Sequence, residues 1–436
     1  MSVELDSGVA LSFFLAAIYN TAVGAEPTAT SEFGPVLLGL AILVLGAKLG
    51  GLLVARWGQP AVLGELLFGI ALANLYPLFS GDAGIEFVRS NPSLRFLAEI
   101  GVLMLLFDVG LETDLRAFAK VGLSAVLVAI IGVVVPLFLG WALALWFLPE
   151  SSTLVHIFIG AALTATSVGI TVRVLKDLGV INSPEGQTII GSAILDDILG
   201  LIVLAVVVGT ITGLAPEGSP MSVISILAIV LKAAAFLGIT IALGHLLSGR
   251  IVRFATRTGE PGILLIIGVT LCFTFAYVSE SIGLADIIGA FAAGVFLDPY
   301  GVGVHTQADE ATLRELLTPL SNVFVPLFFV LMGLQVNLAS LAEPSAMALG
   351  SLLIVCAIVG KLACAFGVVG RGIRRLPVGI GMIPRGEVGL IFAGIGTRVM
   401  LEGQPILTQN VYSAVVVMVV VTTLVAPIGL RWVFGK

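Results

Sequence analysis

Long apolar runs, parted by short polar connections, recur from residue 34 almost to the last residue of this 436-residue chain. About 20 apolar residues in a helix cross the hydrocarbon core of a bilayer. Within lipid every backbone donor and acceptor must be satisfied inside the protein, so only helices or a closed barrel can span. The runs lack period-two alternation, which selects helices. Breaks at Gly, Pro and charged residues divide them into thirteen expected spans, at about 34–54, 59–79, 93–111, 121–147, 153–175, 186–213, 223–248, 261–280, 284–298, 319–338, 344–369, 376–399 and 409–433. The fold class is therefore an all-α polytopic membrane protein with about 13 transmembrane helices. Only 11% of the residues are charged, against about 25% in soluble domains.

Several function classes fall away at this point. The longest polar connection, about 299–318, is too short for a soluble domain, so no regulatory module and no enzyme domain is expected. No basic block points to nucleic acid, and nothing asks for a cofactor. Cys272, Cys356 and Cys364 sit in apolar runs without metal-ligand spacing and read as packing residues. Residues 1–33 hold a short hydrophobic segment, Val9 to Ala25, after an acidic start. Signal peptides begin basic, so a membrane or interfacial segment is favoured over a cleaved signal.

Lys and Arg in the connections orient the chain. Connections after odd-numbered spans, with the C-terminus, hold 14 of the 21, among them Arg56, Lys120, Arg173 and Lys436; those after even-numbered spans hold 3, Arg89, Arg95 and Arg398. The bias puts the start of the first core span outside and the C-terminus in the cytoplasm.

Two spans are interrupted. The fifth carries Thr164-Ala-Thr-Ser167 and the twelfth carries Pro384-Arg-Gly-Glu387. They stand seven spans apart, an odd offset that reverses direction across the membrane. Matching broken helices in two inverted halves mark the central binding site of a transporter. Spans 1–6 and 8–13 are the expected inverted six-helix repeats, with two broken, crossing helices.

Between the breaks in the sequence lies the sixth span with adjacent carboxylates, Asp196 and Asp197. One charge at the bilayer centre costs about 2.5–3.5 kcal/mol on insertion scales. A carboxylate with water access that is kept there holds a proton or a small cation. Neighbours on a helix point about 100° apart, so one should face the ion path and the other a partner. Lys361, well inside the eleventh span, is the natural charge-pair partner; for Lys48 and Lys232 snorkelling stays open. Thr164, Thr166 and Ser167 offer oxygen ligands suited to a hard monovalent cation, and unwinding would free carbonyls beside them; bonding back to their own helix is the alternative for each. Arg385 and Glu387 read as a structural ion pair in the twelfth span. Asp108 reads either as lining a water funnel or as an interfacial charge. Glu65 and Glu99 say less.

Taken together, Gln59-PAVLGELLFGI-Ala71, Thr164-ATSVGITVRVL-Lys176, the aspartate pair, Gly283-LADIIGAFAAGVFL-Asp298, Pro326-LFFVLMGLQVNL and Pro384-RGEVGLIFAG resemble the second family of monovalent cation/proton antiporters. The resemblance spans about residues 34–433. It implies exchange of protons for sodium, lithium or potassium by alternating access. It also implies a core of spans 4–6 and 11–13 (about 121–213 and 344–433) that moves against a dimerisation scaffold, and a homodimer in the lipid bilayer. Asp197 is carried over as the Na+ and proton carboxylate, Asp196 and Lys361 as the charged pair of the electrogenic branch, and Thr166 and Ser167 as ion ligands. Potassium-efflux relatives have glutamine before the aspartate and a nucleotide-binding tail; neither is in this sequence, which favours sodium, with potassium the alternative and a gated cation channel less favoured. A bacterial inner or internal membrane is the implied location. An intramembrane aspartyl protease fits poorly, because its two carboxylates must face each other from different helices.

Overall fold

The computed structural model describes residues 33–77, 83–112, 122–211, 223–257, 261–297, 307–341, 344–369, 372–401 and 403–435. The hydrophobic segment expected before residue 33 lies outside them. The chain is mostly helical: α1 (Phe33–Ala55), α2 (Ala61–Leu75), α3 (Ala83–Ser90), α4 (Pro92–Glu112), α5 (Leu123–Phe147), α6 (Thr153–Ala162), α7 (Val168–Asp177), α8 (Pro184–Ile211), α9 (Val223–Arg257), α10 (Pro261–Ser281), α11 (Asp286–Phe296), α12 (Gln307–Leu334), α13 (Pro344–Leu362), α14 (Arg375–Gly381), α15 (Glu387–Arg398) and α16 (Gln409–Phe434). Each expected span falls on helix. Among the described residues eight helices are long and apolar enough to cross a membrane, and Ala61–Leu75, Thr153–Ala162, Asp286–Phe296 and Val388–Arg398 are shorter apolar helices.

Some features depart from the sequence reading. α12 starts at Gln307, inside what reads as a polar connection. Its opening, Gln-Ala-Asp-Glu-Ala-Thr-Leu-Arg-Glu-Leu-Leu, is built of strong helix formers, and polarity hid a helix that continues past the apolar stretch. α9 likewise runs on to Arg257, because no breaker follows Gly249 until Gly259. α3 and a two-residue hairpin, Met400–Leu401 with Gln404–Pro405, occupy connections. α13 tightens into a 3₁₀ turn over Ala363–Gly367.

The helices group into two compact units. The first takes the chain up to Val102 together with Leu320–Ala339. Here α2 crosses α12 at two glycines. A Cβ on Gly69 would lie 2.2 Å from the Val330 carbonyl oxygen, and one on Gly333 would lie 2.3 Å from that of Leu66. No residue but glycine allows such an approach. Lys48 donates to Asn322 Oδ1 at 2.9 Å, and Arg89 donates to the Leu334 carbonyl at 2.7 Å, where the last turn of α12 leaves acceptors open.

The second unit takes Leu103–Pro319 and Ser340–Lys436. It contains the same close crossing again, between α4 and α11. A Cβ on Gly110 would lie 2.2 Å from the Phe291 oxygen, and one on Gly294 would lie 2.2 Å from the Phe107 oxygen. The first crossing joins expected spans two and ten, the second joins nine and three. Exchanging the halves seven spans apart turns one into the other, as two repeats require. Lys232, left open between pairing and snorkelling, donates to the Ile282 carbonyl just beyond α10 at 2.8 Å.

Candidate functional site

The site lies within the second unit, where both interrupted spans meet α8. The fifth span stops as α6 at Ala162 and resumes as α7 at Val168. Leu163 and Thr164 close α6 with short-range turns onto the Gly160 and Ala161 carbonyls. The twelfth stops as α14 at Gly381 and resumes as α15 at Glu387. Pro384 has no N–H to continue a helix and drives the residue before it out of the helical region.

The two interruptions are tied to each other. The Ser167 N–H donates to the Pro384 carbonyl at 2.8 Å. Thr171 Oγ1 donates to the Gly381 carbonyl at 2.8 Å. A Cβ on Gly386 would lie 2.5 Å from Ser167 Oγ, so glycine is what lets the strands of the crossing touch. The Thr423 hydroxyl of α16 donates to the Arg385 carbonyl.

Arg385 is fully buried. Its Nη1 donates to the Thr164 carbonyl at 3.0 Å and to the Ala165 carbonyl at 2.7 Å, and Nη2 reaches the Ala357 carbonyl at 3.4 Å. The guanidinium thus sits against carbonyls freed by the unwinding after α6, where the helix end carries partial negative charge. This changes one expectation: the carbonyls beside the threonines are engaged by an arginine. The side chain of Glu387, its expected partner, lies outside the described residues.

Asp196 and Lys361 meet as expected. Lys361 Nζ lies 2.8 Å from Asp196 Oδ1, and both side chains are completely buried. Asp196 Oδ2 is buried without a donor among the described residues. Lys361 and Arg385 lie close enough to feel each other's charge and that of Asp196, which joins the aspartates to the crossing. Asp197, the next residue on α8, is partly exposed. The two carboxylates thus divide as the helix geometry requires, one enclosed with a lysine and one partly exposed, with its Oδ1 buried.

The hydroxyls divide too. Thr164 Oγ1 donates back to the Ala161 carbonyl at 2.8 Å, the within-helix alternative. Thr166 Oγ1 is buried without a hydrogen-bond partner among the described residues, and Ser167 is buried at the crossing. Asp108 stands apart from this group and faces Arg314 Nε at 3.5 Å in a partly exposed ion pair. Such pairs contribute about 0–1 kcal/mol.

Sequence reading missed two neighbours of the ion pair, Gly132 on α5 and Cys364 in the 3₁₀ turn. A Cβ on Gly132 would lie 3.0 Å from Cys364 Sγ, 3.2 Å from Asp196 Oδ1 and 3.3 Å from Lys361 Nζ. Cys364 follows Lys361 by three residues and shares its helix face, the one signal available in the sequence.

A family model described as the transmembrane sodium/hydrogen exchanger matches residues 40–436. The high-affinity Na+/H+ antiporter NhaS3 of Synechocystis sp. is 37% identical over 431 residues, covering 92% of this chain and 90% of that protein. The Na+/H+–K+ antiporter GerN of Bacillus cereus is 31% identical over 399 residues, covering 91% and 95%. Among solved structures, the sodium proton antiporter MjNhaP1 from Methanocaldococcus jannaschii superposes with a TM-score of 0.70 at 16% identity, over 92% of this chain and 97% of that one. At that identity the likeness is one of fold.

Proposed function

The chain is an integral membrane protein of the sodium/hydrogen exchanger family, and from that premise we propose that it exchanges sodium or lithium for protons through Asp197. The observation that carries the reading is the split of the aspartate pair. Asp196 is enclosed and held by Lys361, while Asp197 is partly exposed on the same helix turn. One carboxylate serving two ligands is the simplest exchanger. A proton and a sodium ion compete for it, so each must leave before the other is carried.

The remaining groups take roles around it. Thr166, whose buried hydroxyl has no partner among the described residues, and Ser167 supply neutral ligands suited to a dehydrated monovalent cation. Arg385 holds the crossing in its unwound shape. Lys361 is released from Asp196 when protons enter and re-pairs when they leave, so that more than one proton moves per cation and exchange is electrogenic. The spans expected as core, 4–6 and 11–13, carry these residues and move against the remainder, which forms the contact of a homodimer. The charge bias of the connections supports an external start of the first core span and a cytoplasmic C-terminus in a bacterial inner or internal membrane.

GerN, named for potassium as well as sodium, favours potassium as the second reading. The test is the purified protein in proteoliposomes with the membrane potential clamped, where pulses of sodium, lithium and potassium are compared for collapse of an imposed pH gradient. Sodium or lithium should collapse the gradient. Sodium current without proton movement would overturn exchange in favour of a channel.

A further inference from the structure

The glycines that line the second unit's helix crossings mostly face backbone or apolar side chains. A Cβ on Gly140 of α5 would meet the Gly160 Cα at 2.8 Å, and one on Gly360 would meet Pro136 Cγ at 3.0 Å. Gly132 is different. The groups its missing side chain would meet are both members of the buried ion pair and the Cys364 sulfur, at 3.0–3.3 Å.

From this the structure assigns Gly132 as a positioning residue for the Asp196–Lys361 pair. Its bare Cα on α5 is a wall of the pair that α8 and α13 carry. The pair depends on this wall because its anchoring is slight. Among the described residues Asp196 Oδ2 has no donor, and the carboxylate is fixed to Lys361 through the 2.8 Å bond to Oδ1. A methyl group at 132 must move at least one of Sγ, Oδ1 and Nζ by a few tenths of an ångström. The sulfur is the nearest of the three and sits on a short side chain that is itself buried. The displacement is therefore shared with the ion pair, whose geometry sets when Lys361 lets go.

This inference rests on the exchange reading above, in which Lys361 leaves and rejoins Asp196. A misplacement of about 1 Å can cost about a hundredfold in rate, so a shift of a few tenths of an ångström in Gly132→Ala should slow exchange less, by roughly tenfold. It should also shift the pH dependence of the rate, which a packing defect alone would not do. Removing the sulfur makes room for the methyl. The double variant Gly132→Ala/Cys364→Ala should regain most of the rate and the original pH profile, judged against Cys364→Ala alone.

The experiment measures sodium-driven proton movement in proteoliposomes across pH for these three variants and the wild type, with thermal unfolding in detergent alongside. A Gly132→Ala protein with wild-type rate and pH profile overturns the assignment, as does a double variant no better than the single. Should Gly132→Ala fail to accumulate, the double variant decides: recovery of folded, exchanging protein supports the assignment, and failure to recover overturns it. Exchange surviving Asp197→Asn would defeat the exchange reading itself. A dead Asp197→Asn beside an unaltered Gly132→Ala would defeat the inference alone.

Discussion

Removing Lys361 from the buried pair probes the site with a magnitude that the geometry constrains. In Lys361→Met the stem is replaced and the ammonium is lost. Asp196 Oδ1 then loses its 2.8 Å donor, and Oδ2 has none among the described residues. An uncompensated buried charge of this kind costs about 3–5 kcal/mol. Arg385 still acts on Asp196 from nearby, which places this variant toward the lower end, at about 3 kcal/mol. Asp196→Asn should cost more, because it leaves Lys361 and Arg385 without the carboxylate that acts on both. In the double variant Lys361→Met/Asp196→Asn neither charge of the pair remains. Its cost falls to that of a poorly bonded buried amide, about 1–3 kcal/mol. The assay is equilibrium or thermal unfolding in mild detergent for all four proteins, read as a double-mutant cycle. Strictly additive losses, or a Lys361→Met protein as stable as wild type, would refute the pairing argument.

Arg385→Ala strips charge-assisted bonds from the Thr164 and Ala165 carbonyls, each worth about 1.5–3 kcal/mol. Its melting temperature should fall by several degrees while the order of cation preference holds; unchanged melting with altered preference would reverse the assignment. The apparent Km for sodium should rise as pH falls, because protons compete for Asp197, and the optimum pH should move down as sodium rises. A Km independent of pH across the active range would mean separate sites. A cysteine placed near Lys436 should resist an impermeant thiol reagent added outside intact cells, and its labelling would contradict the cytoplasmic C-terminus.

The parts of this molecule that follow from local chemistry were legible in the sequence. Spans showed because bilayer thickness sets their length. The two interruptions showed because Thr164-Ala-Thr-Ser167 and Pro384-Arg-Gly-Glu387 place hydroxyls, a proline and charges where an apolar helix has none. The Asp196–Lys361 pair showed because a lysine deep in an apolar run must find an acid. What depended on three-dimensional approach did not show. The bonds from Arg385 to carbonyls 221 and 220 residues away have no local signal. Gly132 reads as one of 52 glycines, and only the packing of α5 against α8 and α13 sets it beside two charges. Polar helix formers at the start of α12 read as a connection because hydropathy, unlike helix propensity, cannot see a polar stretch of helix.

The central claim, that Asp197 is the carboxylate shared by sodium and protons, is tested most directly by Asp197→Asn. The amide keeps the size of the side chain and removes the group that binds both ligands. In proteoliposomes at equal protein density, with folding checked by unfolding temperature, sodium pulses should move no protons at any pH through this variant. Proton movement at the wild-type rate, with the wild-type dependence on sodium, would contradict the account.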